Sequence, residues 1–134
     1  MNTKQVLILR KDLKMRRGKE ISQCAHASMK TFFDLATLST SSDGSGQMVI
    51  PLTPAMMAWV SGLFTKITLA VTSESDLLEI YDQAKAAGLP CALIKDAGLT
   101  EFGGVPTYTA ISLGPDEVEK IDLITKNNPK VSLY

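Results

Sequence analysis

Gln5-Val-Leu-Ile-Leu-Arg-Lys-Asp-Leu-Lys-Met-Arg-Arg-Gly-Lys-Glu-Ile-Ser-Gln-Cys-Ala-His-Ala27 passes from an apolar run, through a block of cations, into a helical pattern. Gln5–Leu9 suits a buried strand, because an apolar run without alternation fits a strand covered on both faces. The ten residues Arg10–Lys19 hold six cations (Arg10, Lys11, Lys14, Arg16, Arg17 and Lys19) against one acid, Asp12. Beyond Gly18 the pattern predicts a long helix from about Lys19 to Leu38. Strand, loop and helix in that order open an α/β fold.

Along this helix, a turn of about 100° per residue brings Lys19, Gln23 and His26 to one side. Ile21, Ala25, Phe32 and Ala36 gather on the other, the side expected to face a sheet. An ammonium, an amide and an imidazole are therefore expected to project together from the exposed face, beside the basic loop. The helix N-terminus adds partial positive charge and free N–H donors, which suits a phosphate or an oxyanion. A polar outer face is also what any amphipathic helix shows.

Farther along, Ser39–Gly46 has the composition of a flexible loop, and Met48–Leu52 is a brief apolar piece. Thr53-Pro54 forms an N-cap and N1 pair for a short helix through Trp59. Lys66–Thr72 alternates and is β-branched, hence a second strand. Ser73–Asp76 resembles a capping box for a helix over Leu77–Ala87, with Gly88 beyond its end. Cys91–Ile94 and Thr107–Leu113 read as third and fourth strands. Gly114-Pro115-Asp116 is expected to start a last helix reaching about Lys126. The sum is one α/β domain over residues 1–134, a three-layer α/β/α arrangement whose mixed sheet has about four strands.

The 134 residues balance 14 basic against 14 acidic side chains, so only a local patch can attract a polyanion. No apolar stretch approaches the roughly 18 residues of a membrane span, and the N-terminus lacks a signal-peptide pattern. Two cysteines, Cys24 and Cys91, are too few for a disulfide scaffold and fit buried thiols in a reducing cytoplasm. His26 is the only histidine, and no metal-ligand spacing surrounds it, so no metal or other cofactor is expected. Asp96-Ala-Gly-Leu-Thr100 follows the third strand, where loops of open α/β sheets bind ligands. Asp96 could orient or deprotonate a reacting group there, with the hydroxyls of Thr100, Thr107 and Thr109 as hydrogen-bonding groups. An ordinary aspartate turn followed by a threonine-rich strand has the same sequence.

Arg10, Asp12, Leu13, Met15, Gly18, Lys19, Gln23, His26 and Ala27 together resemble the N-terminal signature of type-2 peptidyl-tRNA hydrolases. Asp96–Thr100, the pair Thr107 and Thr109, Gly114-Pro115, and Trp59 with Gly62 are similar to later signatures of that family, in the same order. The resemblance implies a four-stranded mixed sheet flanked by helices and hydrolysis of the ester between a peptide and the terminal ribose of tRNA. It makes Lys19 and Asp96 the central catalytic pair, with Gln23 and Thr100 beside them. Lys11, Lys14, Arg16 and Arg17 would track tRNA phosphates, and His26, Thr107 and Thr109 would line the substrate site. Lys19 would stabilise the tetrahedral oxyanion while Asp96 activates or places a water. The chain departs from the family at Leu99, where arginine is usual, and at Glu101, where glutamine is common. Phe102–Pro106 is one residue longer, and Leu38–Leu52 looks inserted. An apolar face near Met48–Trp59 would fit a homodimer. A non-catalytic RNA- or protein-binding homologue is the rival reading. An anion- or nucleotide-binding module finds no phosphate-loop pattern to support it.

Overall fold

The computed structural model describes residues 1–134. Strand β1 (Thr3–Arg10) is followed by a 3-10 turn over Lys11–Leu13 and by helix α1 (Arg17–Phe33). A hairpin of β2 (Thr37–Thr40) and β3 (Gly46–Val49) leads into helix α2 (Pro54–Ser61). Then come β4 (Lys66–Val71), α3 (Glu74–Ala86), β5 (Cys91–Asp96), β6 (Thr107–Glu117), α4 (Val118–Thr125) and β7 (Ser132–Leu133). The sheet runs in the order β5-β6-β1-β4-β7, with β1 and β4 parallel and β6 antiparallel to both β1 and β5. Strands β1, β4 and β5 therefore share a direction, and their C-terminal ends lie along one edge.

Central β1 is buried on both faces, which explains its unbroken apolar run. Val6 and Ile8 pack with Leu77, Ile80 and Ala84 of α3 and Ile121 of α4. Leu7 and Leu9 face the other way, against Met15, Ala27, Ile94 and Ala110. Helix α2 joins α1 on that side, where Trp59 stacks on Phe32 at 5.8 Å. The expected three-layer α/β/α architecture is present.

Local signals act as their chemistry dictates. Thr53 Oγ1 accepts from Met56 N at 3.2 Å and Ser73 Oγ from Asp76 N at 3.1 Å, each satisfying a donor at a helix start. Gly88, at φ +75°, closes α3 with Gly88 N donating to Lys85 O and Leu89 N to Ala84 O, a Schellman ending.

The expectations fail at four places. Helix α1 stops at Phe33, and Ser39–Gly46 is the tip of the β2–β3 hairpin rather than a loose loop. There Asp43 Oδ1 accepts from Ser45 N and Gly44 takes φ +90°, a tight turn that composition alone reads as loop. Strand β6 continues through Gly114-Pro115-Asp116 to Glu117, so α4 begins only at Val118. Gly114, at φ +88°, fits where an added Cβ would lie 2.8 Å from Lys4 O. The β1 register shifts between Lys4 and Val6, after which Asp116 and Glu117 still pair with Lys4 and Thr3. A fifth strand, β7, adds to β4, too short at two residues to show any periodicity.

The fourth correction concerns the faces of α1. The sheet-facing stripe is Gln23, Ala27 and Thr31, all buried, whereas Ile21 is 63% exposed and Ala25 lies in solvent. Polar partners on β6 reverse the expected orientation. Thr109 donates to Gln23, and Thr31 and Ser112 hydroxyls meet at 2.6 Å. Burial of these groups is tolerated because each is hydrogen-bonded. Gln5 obeys the same rule, reaching Ser28 O at 3.2 Å and Gly114 O at 3.3 Å.

Candidate active site

Asp96 is the last residue of β5 and Lys19 lies in the first turn of α1, so the sheet edge and the helix start meet. Lys19 Nζ donates to Asp96 Oδ1 at 2.7 Å and to Thr100 Oγ1 at 3.0 Å. Both charged side chains are about six-sevenths covered, at 15% and 14% exposure. An ammonium has three donors, and these contacts occupy two. The third remains for an oxygen of a bound molecule. The Phe102 ring lies 5.8 Å from Nζ and walls one side.

Asp96 is held from several directions. Gln23 Nε2 donates to Oδ1 at 3.4 Å, and Gly98 N donates to Oδ2 at 2.8 Å. Thr109 Oγ1 donates to Gln23 Oε1, which fixes the amide with its nitrogen toward the carboxylate. Thr109 and Gln23 are both buried, so Gln23 does not project into solvent as the helix pattern suggested. The result is a continuous chain of contacts, Thr109–Gln23–Asp96–Lys19–Thr100.

The Lys19 hydrogen bond above all, with those of Gly98 and Gln23, holds the Asp96 carboxyl below its ordinary value near 3.8, against a smaller opposing effect of burial. A carboxylate so stabilised is a weak proton acceptor, so positioning suits it better than general-base work. The same shift fixes a pH dependence. The stabilisation is complete above the unfolded value and is lost as pH falls through the depressed folded value. The stability gap between the parent and Asp96→Asn should therefore stay constant from neutrality down to about pH 5 and shrink below the ordinary carboxylate value. Thermal melts across pH check this.

Other nucleophiles are poorly placed. Burial, with Glu20 nearby, pushes the Cys24 thiol up to about 11, and Cys91 is also raised by burial. Both thiols are free and half-buried, and at neutral pH they stay protonated and unreactive.

The loop before α1 divides its cations. Arg10 is absorbed by the fold, donating to Asp12 at 2.7 and 3.3 Å and to Tyr108 O at 3.1 Å. Lys11, Lys14 and Arg17 are exposed and make no ion pair. Arg16 is 91% exposed and lies 3.8 Å from Glu101, whose carboxylate also accepts from Arg16 N at 3.3 Å. His26 is exposed one turn beyond Gln23 and lines a groove between α1 and β5. Thr107 Oγ1 donates to Val105 O at 2.8 Å, closing the end of the loop. Lys19, Gln23, Asp96, Thr100 and Thr109 thus converge, while His26 and Thr107 stand at the margins. Phe102 and the Gly98 amide also belong to the cluster. The first gives no sequence signal apart from its position in the loop, and the second is a backbone group.

A family model described as Peptidyl-tRNA hydrolase PTH2 matches residues 3–129. A peptidyl-tRNA hydrolase of Methanococcus maripaludis is 37% identical over 123 residues, covering 92% of this chain and 94% of its own. Its counterpart in Haloquadratum walsbyi is 36% identical over 131 residues, covering 98% and 99%. That of Methanocaldococcus jannaschii is 35% identical over 122 residues, covering 91% and 94%. The match spans both the helix start with Lys19 and the strand end with Asp96, and the chain belongs to the PTH2 family of peptidyl-tRNA hydrolases.

Proposed function

We propose that this chain hydrolyses the ester joining a peptide, or an N-blocked amino acid, to the terminal ribose of tRNA, with Lys19 and Asp96 at the reacting centre. The supporting observation is the Lys19 ammonium held between Asp96 Oδ1 and Thr100 Oγ1 with one donor to spare. Water attacks the ester carbonyl carbon, and the carbonyl oxygen becomes an oxyanion that the spare Lys19 donor stabilises. Asp96 keeps Lys19 aimed, and with Thr100 it places the water. The carbon–oxygen bond to the ribose then breaks. One proton of the attacking water passes to the departing ribose oxygen, which leaves as a hydroxyl, and the other is released to solvent as the peptide leaves as a carboxylate. Gln23, locked by Thr109, fixes the carboxylate.

Lys11, Lys14, Arg16 and Arg17 supply the tRNA contact on this reading. Each phosphate neutralised releases counterions, so replacing both Lys14 and Arg17 with alanine should raise KM, leave kcat nearly unchanged and reduce the salt slope. The reduction is about 0.7–0.9 in log–log slope per cation removed. Activity measured at several salt concentrations checks it. His26 and Thr107 flank the path of the substrate.

Substrates of this kind arise during translation, which favours a cytoplasmic setting, and no helix is long and apolar enough to cross a membrane. A homodimer is supported by exposed Met48, Val49, Met57 and Val60, although Trp59 itself is buried. In the rival reading, a binding protein without turnover, tRNA is retained in a salt-dependent way but never deacylated. Incubation with N-acetyl-aminoacyl-tRNA separates the two.

A further inference from the structure

Helix α1 and strand β5 enclose a groove of about 460 Å³ that includes His26, Met29, Phe33, Leu93, Ile94 and Lys95 in its lining. Leu93 packs toward the α3–α4 core and Ile94 toward the α1 core. Successive strand residues point to opposite faces, so a groove touching both runs along the strand's outer edge. Strand β5 is an edge strand whose only hydrogen-bonded neighbour is β6. On its outer side, every second residue directs an N–H and a C=O that no other strand takes up. Its lining reaches Lys95, the residue before Asp96, and His26, one turn of α1 beyond Gln23, so one end of the groove borders the catalytic centre.

From this geometry, and resting on the hydrolase reading, we propose that the groove holds the peptide of the substrate as an added strand on β5. The scissile carbonyl lies at Lys19 and Asp96, at the C-terminal end of β5. The peptide extends from that carbonyl back toward Cys91, so its own N-to-C direction is that of β5, and the addition is parallel. The cationic loop Lys11–Arg17 precedes α1 while the groove runs down its length, which places the tRNA and the peptide on opposite sides of the ester. Recognition by backbone hydrogen bonds is indifferent to side-chain identity. Met29 and Phe33, 53% and 45% exposed, offer apolar contact to alternate side chains without selecting among them. Leu93–Lys95 spans about 10 Å at roughly 3.3 Å per residue, room for about three peptide residues.

The test compares N-acetyl-aminoacyl-tRNA with di-, tri- and tetrapeptidyl-tRNA. The parent should show kcat/KM rising about 10-fold with chain length and levelling off near three residues, as expected for one or two backbone hydrogen bonds. Methylating successive backbone nitrogens of the tripeptide in turn should abolish the gain at one position and spare it at the next, because only alternate amides face β5. Met29→Trp, which fills the groove, should bring the ratio of tripeptidyl to N-acetyl-aminoacyl rates close to one. Equal rates at every length, or a gain insensitive to both methylations, overturn the strand-addition proposal and leave the hydrolase reading intact. An equal loss on all substrates in Met29→Trp would show the acceptor end of the tRNA in the groove and also overturn it. No hydrolysis of any substrate by the parent defeats the hydrolase reading and the groove with it.

Discussion

Lys19→Ala should lower kcat for N-acetyl-aminoacyl-tRNA by about 10²–10³-fold, the usual effect of deleting one oxyanion donor in a partly desolvated site. The loss belongs in kcat, because an oxyanion exists only as the bond to water forms and the ground-state carbonyl carries little charge. KM should change little, since the exposed cations Lys11, Lys14 and Arg17 are untouched. Folding should survive the change. Lys19 contributes no residue to either core cluster, and Asp96 keeps its contacts from Gln23 and Gly98. Single-turnover kinetics separate binding from chemistry, and circular dichroism checks the fold. A Lys19→Ala protein that turns over like the parent would remove Lys19 from the mechanism.

The second large effect falls on a residue with no side chain. Gly98 has φ +80°, and a Cβ there would lie 2.2 Å from Val105 O and 2.6 Å from Val105 C. Both obstacles are backbone, so the loop from Asp96 to Thr107 must shift for Gly98→Ala to fit. Two contacts of the candidate site depend on that loop, from the Gly98 amide to Asp96 Oδ2 and from Lys19 Nζ to the Thr100 hydroxyl. A displacement of about 1 Å at a reacting group can cost about 10²-fold, and a loss near that size is expected in kcat. Gly103→Ala is the control. Gly103 also has positive φ, +58°, but an added Cβ meets nothing within 4 Å. It should cost only the intrinsic left-handed strain, about 1–2 kcal/mol of loop stability, and much less activity. Similar losses from both variants would mean that backbone strain, not the Val105 contact, governs the loop.

The layers of the fold were legible because they depend on strong local signals. The unbroken run at β1, the caps at Thr53 and Ser73, and Gly88 beyond α3 each act through a few neighbouring atoms. What escaped depends on distant partners. Gln23 and Thr31 look like surface residues until β6 supplies Thr109 and Ser112 to satisfy them. Hydrophobicity therefore turned α1 the wrong way round, although polar Lys19, Gln23 and Thr31 share one stripe with the small Ala27. Gly114-Pro115 reads as a helix start until β1 is seen pairing with Asp116 and Glu117 beyond it.

The candidate site divides in the same way. Resemblance named Lys19, Gln23, Asp96 and Thr100 as one cluster, and they meet within hydrogen-bonding distance. It could not say that Thr109 is buried and serves by aiming Gln23, or that Arg10 is held by Asp12 and Tyr108 O. Glu101, standing where glutamine is common, makes contacts with Arg16 that partly offset one of the loop cations.

The most direct measurement is the release of free tRNA from N-acetyl-aminoacyl-tRNA by the parent, Lys19→Ala and Asp96→Asn proteins under one set of conditions. The account predicts rapid release by the parent and release slowed at least about 10²-fold in both variants, with tRNA binding retained in all three. Binding without release by the parent, or full release by either variant, would contradict it.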